Sequence, residues 1–90
     1  MNVNETKRDD PDALALAALG WILTDADRAR RLLSLTGLSP DHLRDRLEDP
    51  ALLASILSFL EAYEPDLTAC ASALGLAPSE LVGARRMLEA

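Results

Sequence analysis

Side chains that carry chemistry are nearly missing from this sequence. One cysteine, Cys70, and one histidine, His42, stand among 90 residues. A lone cysteine excludes an intramolecular disulfide framework and fits a reducing compartment. One His, one Cys and no Glu-x-x-His pair leave too little material for a metal centre. His42 lies between Asp41 and Asp45 on the exposed side of its helix, where a solvated imidazole is expected, not a catalytic one. Cys70 falls at a core-facing position and reads as a small buried hydrophobe. No glycine-rich phosphate loop occurs. The expectation is therefore a protein that is not an enzyme, with no catalytic residue, metal or cofactor.

Basic charge is scarce as well. Nine Lys and Arg face 15 Asp and Glu, a net charge of −6, which counts against nucleic acid and anionic membranes as partners. The longest apolar run, "ALALAALGWIL" at 13–23, falls short of the roughly 20 residues of a membrane span. No basic segment followed by an apolar one opens the chain, so a secretory signal is not expected and a cytoplasmic location is. Aromatics are limited to Trp21, Phe59 and Tyr63, and Ile and Val are few, which argues against sheets.

What remains is Leu, Ala, Arg, Asp and Glu, a helical vocabulary whose side chains lose little rotamer freedom in a helix. Residues 1–9, "MNVNETKRD", lack hydrophobic periodicity and are expected to form a frayed tail before one domain over 10–90. Each proline then marks a helix start, since its missing N–H is unpaired there in any case. Asp10, Ser39 and Asp49 are good caps, while Glu64 and Ala77 are poorer ones. Thr24 with Asp27 resembles a capping box. Helices are predicted over 11–23, 25–36, 40–48, 50–63, 65–74 and 78–89, giving a compact all-α bundle of about six short helices. The first and fourth are apolar almost all round and belong inside a bundle or against another chain. The second places Ala29, Leu32, Leu33 and Thr36 on one side, with Asp25–Arg28 and Asp27–Arg31 paired on the other.

One joint occurs twice. "LTGLSPDHL" at 35–43 returns as "ALGLAPSEL" at 73–81, with Gly, Leu, Pro and Leu in the same places. Gly37 and Gly75 would end one helix in the left-handed conformation, and Pro40 and Pro78 would start the next. Leu38 and Leu76 would pack back on the finished helix, and Leu43 and Leu81 would face the core. The same offset aligns Gly20 with Ser58 and Trp21 with Phe59. Two pseudo-repeated three-helix units are expected, with helices 1 and 4 meeting where Gly20 and Ser58 let backbones approach. Two ordinary junctions in a Leu-rich chain are the plainer reading.

Residues 67–86 can also be read as a helix-turn-helix. A reading helix, however, needs Arg, Lys, Asn or Gln toward the groove, and "PSELVGARR" offers Glu80 early and Arg85 and Arg86 only at its end. Arg28, Arg30 and Arg31 form the densest basic cluster, explained most simply as exposed partners of Asp25 and Asp27. Trp21 is either a core residue beside Phe59 or an exposed anchor. Candidate interaction residues are thus Trp21, Arg28, Arg31, Arg85 and Arg86.

The segments "DALALAALGWIL", "RLLSLTGLSPDHLR", "EDPALLASILSFLEAYEPDL" and "ASALGLAPSELVGARRML" together resemble an alphaproteobacterial family, domain-of-unknown-function family 3572. The resemblance implies a short helical bacterial protein and carries over no functional residue. The expected role is a protein-interaction module, self-associating or an adaptor, with DNA binding through 67–86 as the alternative.

Overall fold

Short polar side chains set where four of the helices of this protein begin. The computed structural model describes residues 10–90, among which six helices and no strand are found: α1 (Pro11–Ile22), α2 (Ala26–Thr36), α3 (Pro40–Asp45), α4 (Pro50–Glu61), α5 (Glu64–Leu74) and α6 (Pro78–Glu89). The all-α class expected from composition is what is observed. The expected tail lies outside the described residues.

Asp10, Ser39 and Asp49 cap α1, α3 and α4, accepting from the backbone N–H of Asp12, His42 and Ala51. Two expected caps are corrected. Asp25, not Thr24, caps α2, accepting from the N–H groups of Asp27 (2.9 Å) and Arg28 (3.1 Å). The Thr24 hydroxyl is already engaged, donating to the Trp21 carbonyl at 2.6 Å where α1 closes, and a carboxylate suits the positive end of a helix better. Glu64 is the first residue of α5 and not its cap; Tyr63 holds that place without a side-chain bond. α3 stops at Asp45 because Arg46 reaches forward to Asp49 at 2.7 Å and draws residues 46–48 into a turn.

Both glycine joints form. Gly37 and Gly75 each have φ of +71° and terminate α2 and α5. Their closures differ. At the second joint Leu76 N–H donates to the Ala71 carbonyl (2.8 Å), a Schellman closure. At the first, Leu38 N–H is taken by the Thr36 hydroxyl (3.4 Å), so only Gly37 N–H closes the turn, on Leu33 (2.9 Å). Leu74 stands where Thr36 does and has no hydroxyl to intervene. Beyond the joints, Leu43 and Leu81 are buried as expected.

The joints repeat, but the halves do not pack as equivalents. α4 is central, packing on α1, α2, α5 and α6, and α1, α5 and α6 also pack on one another. α1 therefore shares its core with the second half of the chain, while α2 rests mainly on α4. Nor do Gly20 and Ser58 mediate close approach. Both are exposed, and a Cβ built on Gly20 would meet nothing within 4 Å. Ala15 and Ala18, fully buried, supply the small contact surface of α1 instead. The core includes Leu14, Leu19 and Ile22 of α1, Leu52, Leu53, Ile56, Leu57, Phe59 and Leu60 of α4, and Cys70, Leu81 and Ala84, with Leu32 of α2 and Leu43 of α3 joining it. Neither apolar helix lacks a wet face: Ala51, Ser55 and Ser58 of α4 are exposed, and Leu16 on the outer side of α1 is 41% exposed.

Candidate interaction surface

Arg28 and Arg31 lie one turn apart on α2, and this spacing sends both toward neighbouring elements. Arg28 is not the exposed arginine expected. Its side chain is 19% exposed, with the guanidinium 3.7 Å from the Trp21 ring centroid. It also donates to the Trp21 carbonyl (3.3 Å) and the Thr24 hydroxyl (3.1 Å) and pairs with Asp25 at 3.7 Å. Its Nε is buried without a hydrogen-bond partner; the electron-rich indole face offsets part of that cost. Trp21 is consequently half-buried, packed on the core and roofed by Arg28, while Phe59 faces Arg31.

Arg31 does not pair with Asp27 as expected; Arg30 does, at 3.2 Å. Arg31 crosses to Asp66 of α5 (3.1 Å), with its guanidinium 5.5 Å from the Phe59 ring centroid and 5.8 Å from that of Tyr63. Asp66 is the one buried charged residue among the described residues. A buried carboxylate demands a partner, and Arg31 supplies it. Sequence reasoning missed Asp66, because an ion pair spanning separate helices leaves no local spacing to find.

Arg85 is held as well. Its guanidinium pairs with Glu61 of α4 and Glu89 of its own helix. The hydrogen bond to Glu61 is the main cause raising its pKa above the ordinary arginine value. Arg86, by contrast, is exposed. α5 and α6 meet at 101°, an angle common to helix-turn-helix units, yet α6 packs on both α1 and α4.

His42 is exposed, as expected. Cys70 is fully buried, and burial pushes its thiol pKa up to about 11, so it is an un-ionised, protected thiol at neutral pH. Among the described residues no three His, Cys, Asp or Glu side chains are placed to hold a metal ion. An open groove of about 450 Å³ runs between the end of α2 and α4, lined by Leu35, Leu38, Arg46, Ser55, Ser58 and Phe59. It brings no pair of titratable groups into catalytic reach. Five large hydrophobic side chains stand out among the described residues: Leu35 at 72% exposed, Met87 at 61%, Tyr63 at 52%, Leu23 at 51% and Leu16. No helix among the described residues is long and apolar enough to cross a membrane.

These features define a small all-α domain whose arginines are spent largely on internal pairing and whose exposed surface carries several large hydrophobes, Leu16 and Leu23 among them. Within that class, the chain belongs to the family described as protein of unknown function (DUF3572), whose sequence model matches residues 8–90. No curated protein and no solved structure was found to match it.

Proposed function

We propose that this protein is a non-catalytic, cytoplasmic protein-interaction module that binds a second copy of itself or a partner protein. The observation that carries this reading is the outer side of α1. Leu16 is exposed beside Ala17 and Gly20, and Leu23 stands clear at the end of the helix. These side chains lie on one flank of a helix that buries its other flank in the core. Apolar surface presented on an ordered helix is a common basis for association. The test is light scattering on the purified protein, together with affinity capture from the native host. Wild type is expected to self-associate or retain a partner, and the double variant Leu16→Lys, Leu23→Lys is expected to lose that association while keeping its helical circular dichroism. A monomer at high concentration that retains no partner would overturn the reading.

DNA binding through α5 and α6 is the second reading, and their 101° crossing is what favours it. Against it stand the net charge of −6, the pairing of Arg85 with Glu61 and the packing of α6 into the core. A gel shift at low salt separates the two readings. Binding that is salt-sensitive and lost in Arg86→Ala would place nucleic acid first.

A further inference from the structure

α2 and α3 are fastened to this protein differently from the other four helices. α1, α4, α5 and α6 pack on one another through a shared core. From the stretch 24–48, Leu32 and Leu43 reach that core and Leu33, Leu38 and Leu47 pack against it only partly buried, while α2 makes its main packing contact with α4 alone. What α2 lacks in buried apolar surface it has in arginine contacts. Arg28 covers Trp21 of α1 and bonds its carbonyl, and Arg31 joins Asp66 of α5 while lying over Phe59 of α4 and Tyr63. Two arginines one turn apart thus tie one weakly packed helix to three elements.

We propose that residues 24–48, comprising α2 and α3, form a strap held by the Arg28 and Arg31 clasps, which opens as a unit while α1, α4, α5 and α6 stay folded. The physical basis is unequal local stability. Segments with few buried contacts open at lower free energy than the core they cover. An arginine–carboxylate contact is directional and fails once its geometry is lost. Opening separates Arg31 from Phe59 and Arg28 from Trp21, and so uncovers an aromatic surface along α4 and the end of α1. The groove beside Leu35 and Phe59 widens in the same motion, because α2 is one of its walls.

Native-state hydrogen exchange across a urea series tests this. In wild type, α2 and α3 amides are expected to exchange through an opening that depends weakly on urea, whereas α4 and α6 amides exchange only with global unfolding. Asp66→Asn is expected to speed α2 exchange by roughly five- to tenfold, leaving the global urea midpoint little changed. Arg30→Ala, which removes only an exposed pair with Asp27, is expected to change neither. Wild-type α2 amides that share the urea dependence of α4 amides would overturn the proposal. So would an Asp66→Asn variant whose faster exchange is matched by an equal loss of global stability.

Discussion

Arg28, Arg31 and Arg85 are defined by what the fold brings to them, whereas Arg30, Arg44 and Arg46 pair with aspartates three residues away in the chain. All three of Arg28, Arg30 and Arg31 lie on α2, yet Arg30 takes the surface partner Asp27, while Arg28 is drawn over Trp21 and the half-exposed Arg31 crosses to Asp66. The reason is the buried Asp66 and the half-buried Trp21, which no local pattern announces. Aspartates, in contrast, act locally. The carboxyl of Asp25 is held below the ordinary range chiefly by the Arg28 backbone N–H, and that of Asp49 chiefly by the Arg46 guanidinium. A carboxyl whose folded pKa is lowered stabilises the fold at pH values above its unfolded pKa. That contribution is lost as pH falls through the lower, folded value. Thermal unfolding followed from pH 7 downward is therefore expected to hold steady until about pH 4 and then decline. Asp25→Asn and Asp49→Asn, which keep a capping oxygen without the charge, are expected to flatten that acid limb; an unchanged limb in both would show that other carboxyls set it.

At the scale of elements, glycine separates residues that the chain needs from residues it merely tolerates. Gly37 and Gly75 occupy a left-handed backbone that a side chain resists, so alanine at either is expected to destabilise the protein by about 1 kcal/mol. Gly20 sits in the middle of α1 with open space around it. Alanine there is expected to stabilise by about 0.5–1 kcal/mol, by removing glycine's extra backbone freedom in the unfolded chain. Urea denaturation of the three variants checks the opposite signs together. Proline-led starts and glycine ends were legible because each depends on the few residues around it. The boundary errors have equally local causes: a Thr24 hydroxyl diverted to Trp21, and an Arg46 that pairs forward with Asp49. The inequivalence of the two joints, by contrast, came down to one hydroxyl at Thr36.

For the molecule as a whole, α4 is the element on which the rest depends. Leu57 is buried at its centre, where removing the side chain leaves a cavity on several sides. Leu57→Ala is expected to cost about 3 kcal/mol, whereas Leu35→Ala on the exposed rim of the groove should stay within about 0.5 kcal/mol. Equal losses in the two variants, by the same denaturation assay, would mean that Leu35 is covered in solution and would point to an interface on the α2 side.

The sequence by itself determined the helical class, the number of helices and the glycine–proline joints, because propensity, capping and the left-handed turn act over only a few residues. It also placed His42 outside and Cys70 inside, as helical periodicity alone can do. Tertiary structure decided the rest. Whether α1 presents Leu16 to solvent, whether Gly20 touches anything, and which carboxylate receives Arg31 or Arg85 all depend on how α1, α5 and α6 gather around α4. Residues 35 or 24 positions apart become partners only when the helices carrying them are packed, and that arrangement follows from the shape of the shared core, not from any local signal.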